Sequence, residues 1–207
     1  LSANGQLYLV NPNGVVVGPN ATINAAAMIV STQALSNSDF LAGRYNFNQQ
    51  GPSSAAILTQ GLITVQQGGL VSLIGHNLTN VGSIQAPGGT AGLFAGDTVA
   101  IALNTAQPGQ STVSVTPAMA GDARITNSGT IQASGGSIQL IADNAGPRGA
   151  SAGAPITNAI VINQSGTLNT ANLYSAGNIL IDGGSAGIVQ QSGHLIATNT
   201  HGVGGNI

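Results

Sequence analysis

The chain has 207 residues, of which only 4 % are charged: three Arg, five Asp, no Lys and no Glu, giving a net charge of −2. Ordinary soluble domains are about 25 % charged, so this composition excludes nucleic-acid binding through clustered Lys and Arg and excludes a polybasic membrane contact. The lack of Cys excludes disulfide scaffolds, thiol nucleophiles and Cys-ligated zinc, and no apolar run reaches the ~20 residues of a membrane-spanning helix.

In chain order, the first predicted element is a strand near Leu7 and Leu9, followed by Asn11-Pro12-Asn13-Gly14 and the valine run Val15–Val17. Asn leads the tetrapeptide, Pro fixes φ at its second position and Gly closes it, which predicts a type I turn. The tight corner is expected to set Leu7 and Leu9 beside Val15 and Val17 in one apolar column. Ser36 to Ala56 then breaks the rhythm. It holds two of the three Phe, one Tyr and one Arg, and is expected to leave the main body as a small hairpin or loop.

A repeat follows. Thr79 to Gly96, "TNVGSIQAPGGTAGLFAG", and Thr126 to Asp143, "TNSGTIQASGGSIQLIAD", are close copies, and Thr59 to Gly75 is a looser one. Degenerate copies start at Asn163 and Gln190. Asn104 to Ala123 is a second expected excursion, with an alternating run at Thr112 to Thr116, and Ala145 to Pro155 is a loop between copies. Within the best copy, period-two alternation puts Ile131 and Ala133 on one face, then Ile138, Leu140 and Ala142 after the Gly135-Gly136 corner. Thr130, Gln132 and Gln139 point the other way. Each copy is too short to bury its own apolar face, but stacked copies bury a continuous aliphatic column. Asn and Gln suit the outer faces and corners, where amides bond from copy to copy. The predicted fold is all-β with essentially no α-helix: a right-handed parallel β-helix, or solenoid, with small extra-helical hairpins or loops. A β-sandwich also fits the turn spacing, but it has no need of the repeated Gly-Gly phrases.

The segment Leu7 to Phe47 carries several signals in fixed order: Asn11-Pro12-Asn13-Gly14, the valine run and Gly18, Ile23-Asn24, Ser31-Thr32, and Asp39-Phe40-Leu41-Ala42-Gly43 leading to Phe47. In this it resembles the secretion domain of two-partner secretion exoproteins, a group that includes filamentous haemagglutinin and related large bacterial adhesins and haemolysins. The later copies resemble the β-helix coils of that family. The resemblance implies an outer-membrane β-barrel transporter with periplasmic docking domains as partner, and a secreted or cell-surface location in a Gram-negative-type bacterium. It further implies an adhesin role for the full protein, with a host-cell or surface receptor. It makes residues 1–56 the C-terminal part of the secretion domain, without the family's N-terminal cap and second motif, and residues 57–207 the continuing coils of one solenoid, cut in mid-repeat. Asn11, Pro12, Asn13 and Gly14 are the candidate secretion and turn residues.

Nothing else in the chain carries chemistry. Five scattered Asp and three scattered Arg do not form the cluster a polysaccharide-cleaving β-helix needs, so no catalytic residue and no cofactor is expected. His76, His194 and His201 lack zinc-site spacing, so no metal is expected. Asp39 with Arg44, and Asp143 with Arg148, are expected as local structural ion pairs. A second reading is a structural segment of an extracellular filament or sheath, with end-to-end self-stacking of its coils.

Overall fold

The computed structural model describes residues 1–48, 55–104, 106, 110–116, 123–143, 160–174, 177–184, 187–199 and 204–207. Its strands fall into six coils of three. The first holds β1 (Gln6–Val10), β2 (Val15–Val17) and β3 (Thr22–Ala25). The second holds β4 (Ala27–Ser31), then the one-turn helix α1 (Asn37–Leu41) and β5 (Tyr45–Asn48), then β6 (Ala56–Thr59) and β7 (Leu62–Val65). β8 (Leu70–Ile74), β9 (Asn77–Asn80) and β10 (Ser83–Gln85) make the third. The fourth runs through β11 (Thr90–Ala95), the two excursion strands β12 (Thr98–Ala102) and β13 (Thr112–Thr116), then β14 (Arg124–Asn127) and β15 (Thr130–Gln132). β16 (Ser137–Ala142), β17 (Ile160–Asn163) and β18 (Thr167–Asn169) form the fifth, and β19 (Asn178–Asp182), β20 (Ile188–Gln191) and β21 (His194–Ile196) the sixth.

Equivalent strands pair in parallel into three six-stranded sheets, in the orders β1-β4-β8-β11-β16-β19, β2-β6-β9-β14-β17-β20 and β3-β7-β10-β15-β18-β21. These are the three faces of a parallel β-helix, as the repeat predicts. The register stacks like on like. Val30, Leu73, Leu93 and Leu140 form one buried column on the first face, and Ile63, Ile84, Ile131 and Leu168 form another on the third. Ile131, Ala133, Ile138, Leu140 and Ala142 are all buried, while Thr130, Gln132 and Gln139 face out, as the alternation requires.

The glycine pairs divide their labour. The first of each pair, Gly68, Gly88 and Gly135, turns the corner at φ of +74°, +62° and +74°, a region that penalises a Cβ. The second is needed for space. A Cβ on Gly89 would strike the carbonyl oxygen of Gly69, and one on Gly136 would strike that of Gly89. Coils therefore touch backbone to backbone at this corner.

The excursions leave from one corner, between the first and second faces. β5, β12 and β13 form an antiparallel sheet in the order β13-β12-β5, which accounts for the alternation at Thr112–Thr116. Phe47, Val99 and Ile101 from this sheet pack with Ala27, Ile29, Leu70, Ile74 and Phe94 on the outer side of the first face. β4, β8 and β11 are consequently buried on both sides. The loop expected at Ala145 to Pro155 lies outside the described residues.

The fold is nearly all-β, as expected, and the single turn of α1 is capped by Ser36, whose Oγ accepts from the Asp39 N–H. One expectation is corrected. Leu9 does not join the interior column. It lies in register with buried Val30, but among the described residues β1 pairs only with β4, and Leu9 is 39 % exposed. Leu7 does pack against the core.

Candidate functional site

Asn11 to Gly14 join β1 to β2 across the corner from which the excursions leave. The Asn11 N–H donates to the Ser31 carbonyl at 2.9 Å, which ties the corner to the coil above. The Asn13 N–H donates to Asn11 Oδ1 at 3.1 Å, and the Gly14 N–H donates to the Asn11 carbonyl at 3.1 Å. The first bond is an Asx turn and the second closes the β-turn. Among the described residues only Ser165 combines a side chain with positive φ, so Asn13 is not in the left-handed region. That rules out type II and agrees with the predicted type I.

Gly14 has φ +113°, and a Cβ there would lie 3.0 Å from the Ala56 carbonyl oxygen. Only glycine meets both conditions. Val15 and Val17 then point into the core, in register with Ile57 and Thr59, while Val16 is 68 % exposed. Asn11, Pro12 and Asn13 are exposed. A shallow concavity beside them is lined by Pro12, Asn13, Val16, Ala55 and Ala56, with no ionisable side chain. The concavity offers amide and aliphatic surface.

Most of the remaining resemblance residues build the excursion and its anchor. Ser36 Oγ donates to Asp39 Oδ2 at 2.9 Å and Arg44 Nε donates to Asp39 Oδ1 at 2.8 Å, so the expected Asp39–Arg44 pair is present. The Ser36 hydroxyl and then the Arg44 guanidinium hold the Asp39 carboxyl below the usual carboxylate range. Phe40 and Tyr45 meet Tyr8 of β1. Tyr8 stacks on Tyr45 with ring centroids 5.6 Å apart, and Phe40 stands edge-on to Tyr8 at 5.2 Å. Burial, followed by the contact with Tyr45, pushes the Tyr8 phenol up. Phe47 is fully buried. Ser31 Oγ donates to the Gln33 carbonyl and accepts from the Gln33 N–H, both at 2.9 Å, and Thr32 Oγ1 fills the space a Cβ on Gly75 would take. Ile23 is in the core and Asn24 faces out.

Two polar arrangements go beyond the sequence reading. That reading assigns Asn to outer faces or corners; Asn80, Asn127 and Asn163 sit at a corner but fully buried. With Thr59 and Gln191 they form a ladder. Thr59 Oγ1 donates to Asn80 Oδ1 at 2.8 Å, and Asn80 Nδ2 to Asn127 Oδ1 at 2.7 Å. Asn127 Nδ2 donates to Asn163 Oδ1 at 2.7 Å, and Asn163 Nδ2 to Gln191 Oε1 at 2.9 Å. The second arrangement joins buried His76 to Asp97, with Nε2 of the ring 2.8 Å from the carboxylate. These residues are 21 apart, which is one coil, and the repeat length is the signal that could have paired them. His194 lies on the third face, and His201 and Arg148 lie outside the described residues.

Comparison with known proteins agrees with this geometry. The profile of the TPS secretion domain matches residues 1–204. The crystal structure of the HMW1 secretion domain from Haemophilus influenzae superposes with a TM-score of 0.81 at 30 % identity, over 97 % of this chain and 49 % of that one. A heme/hemopexin-binding protein of Haemophilus influenzae is 36 % identical over 62 residues, which is 30 % of this chain and 7 % of that protein. The chain thus spans about half of one similar chain and a small fraction of the other. No described helix is long and apolar enough to cross a membrane.

Proposed function

The chain belongs to the TPS, or two-partner secretion, secretion domain family, and on that premise we propose that it is the segment through which a large extracellular adhesin is handed to the periplasmic docking domains of its outer-membrane transporter. Two-partner exoproteins are secreted by Gram-negative bacteria, and the transporter is the partner the family implies. The docking domains, the adhesin role, the cell-surface location and a host receptor belong to the proposal. So does the absence of catalysis, which the scattered Asp and Arg support.

One observation supports the reading above the others: the Asn11–Gly14 turn leaves Asn11, Pro12, Asn13 and Val16 exposed beside a concavity without ionisable lining while its backbone joins β1 to β2 of the first coil. The chain also suits export in extended form. No Cys can lock it in an oxidising compartment. Each coil contacts only its neighbours, so coils add in order as they emerge. The test is to express the exoprotein with and without residues 1–204, with its transporter present or absent. Transporter-dependent release that vanishes on deletion supports the reading, and release that survives deletion overturns it. Attachment of the secreted full-length protein to host cells, compared with a non-secreting strain, tests the adhesin role separately.

A further inference from the structure

Two Asn–Gly junctions occur in the chain, Asn4–Gly5 and Asn13–Gly14, and both asparagines are exposed. This dipeptide is chemically labile because the glycine nitrogen reaches the asparagine side-chain carbonyl with no Cβ in its path. The junctions differ in what holds that nitrogen. The Gly14 N–H is engaged by the Asn11 carbonyl at 3.1 Å, inside a turn that Asn11 Oδ1 braces through the Asn13 N–H. Among the described residues the Gly5 N–H has no acceptor. Gly5 lies in a bend, and a Cβ there would meet nothing within 4 Å.

We infer that Asn13–Gly14 is a deamidation site guarded by the folded turn, so that the motif is chemically altered chiefly while the chain is unfolded. The Gly14 nitrogen loses its proton and attacks Asn13 Cγ. The new N–Cγ bond closes a five-membered succinimide, and the Cγ–Nδ2 bond breaks to release ammonia. Water then opens the ring at either carbonyl, leaving aspartate or isoaspartate at position 13. No oxidant or reductant is needed. In the folded turn the attack requires loss of the Gly14–Asn11 hydrogen bond and rotation of Asn13 out of the turn conformation. At Asn4–Gly5 neither restraint exists.

The isoaspartate product adds one carbon to the main chain between Pro12 and Gly14. The lengthened chain does not keep both the Asn11–Gly14 bond and the approach of Gly14 to Ala56. Taken with the proposed export of an extended chain, on which this consequence rests, the motif limits how long an unexported chain stays able to fold. A chain that crosses and folds promptly keeps its turn, and one that waits unfolded loses it.

The test uses the purified chain, folded in buffer or unfolded in urea, incubated at one mildly alkaline pH. Peptides carrying positions 4 and 13 are quantified by mass spectrometry, with isoaspartate identified by electron-transfer fragmentation. In urea both junctions should convert at similar rates. In the folded chain Asn4 should continue while Asn13 slows about tenfold or more, the factor that ~1.4 kcal/mol of local opening imposes. Equal conversion of Asn4 and Asn13 in the folded chain would overturn the guarding. In an Asn4→Gln background, urea-aged chain is then refolded and separated into folded and unfolded fractions. Isoaspartate at position 13 should concentrate in the fraction that fails to refold, whereas Asn13→Asp should refold like the parent. Equal isoaspartate in both fractions overturns the consequence for folding. Neither arm involves a transporter, so failure here leaves the secretion reading to its own test.

Discussion

Asn127 donates through Nδ2 to Oδ1 of Asn163 at 2.7 Å, and the same nitrogen reaches the carbonyl of Gly129, in its own turn, at 3.3 Å. The second contact fixes which way the amide faces, because only an NH2 group can serve a carbonyl there. Asn163 and Gln191 repeat the arrangement with the carbonyls of Gly166 and Gly193. The ladder therefore has one direction, with each coil donating to the next. Glycine makes room for it: a Cβ on Gly166 would strike Asn127 Nδ2.

Asn127→Leu removes a rung and leaves the Asn80 amide and the Asn163 carbonyl buried without their partners. Each orphaned group costs about 1–3 kcal/mol, so a loss of roughly 2–6 kcal/mol in urea unfolding is expected. A loss under ~1 kcal/mol would mean water replaces the rung.

Leu140 and Gln132 test the register of the interior. Leu140→Ala opens a cavity in a four-residue column and should cost about 2–5 kcal/mol. Gln132 faces out, and Gln132→Ala should cost well under ~1 kcal/mol. The reverse order would place the strand one residue out of register.

These two sites show how far the sequence is legible. The columns through Ile131 and Leu140 follow from period-two alternation and glycine corners, both local signals. The ladder follows in part: corner amides are expected to bond from copy to copy, and the copies align Asn80 with Asn127, but the burial of these amides is not foreseen. Its members are separated by 21, 47, 36 and 28 residues, because excursions of unequal length interrupt the coils, and no fixed period joins them. β12 is hidden for a similar reason. Thr98–Ala102 alternates like a coil strand, and its antiparallel pairing with Thr112–Thr116 and with Tyr45–Asn48, some fifty residues earlier, places it outside the helix. At the candidate site the turn itself is legible from Asn, Pro and Gly. The approach of Gly14 to Ala56 is not, since it depends on where the second coil lands.

The glycines separate space from conformation. Gly43 has φ +68°, and a Cβ added there would meet nothing within 4 Å, so Gly43→Ala should cost only the left-handed strain of ~1–2 kcal/mol. Gly136→Ala forces its Cβ against the Gly89 backbone and must push the neighbouring coils apart. It should cost more than Gly43→Ala in the same denaturation assay, and the opposite ranking would show that the corner yields easily.

Acid should loosen the anchor of the excursion. Asp39 has a folded pKa below its unfolded value, so its ionised form stabilises α1 above about pH 3.9. That contribution fades as the pH falls through the lower folded value. Carbon-detected NMR of the Asp39 carboxyl should give a midpoint below that of an unfolded peptide, and Ser36→Ala should raise it. A midpoint unmoved by Ser36→Ala would remove the cap as the cause.

Whether Asn11–Gly14 acts in secretion as a turn or as an address can be decided by two substitutions. The side chains of Asn11, Pro12 and Asn13 are exposed, which an address requires. Asn13 uses its backbone N–H, through Asn11, to hold the turn, and its own amide makes no bond the turn depends on. Asn13→Asp should therefore fold like the parent, since Asp tolerates the same backbone. Gly14→Val meets both a φ of +113° and the Ala56 carbonyl, and a β-branched residue is severely strained there. If the motif matters because the turn seats Val15 and Val17 and starts the stack, Asn13→Asp is secreted near the parental level and Gly14→Val fails in both folding and secretion. Secretion of the full-length variants through the transporter, alongside circular dichroism of the purified chains, gives the answer. A chain with Asn13→Asp that folds normally and is not exported would show that the transporter reads the Asn13 amide itself, and the turn account would fall.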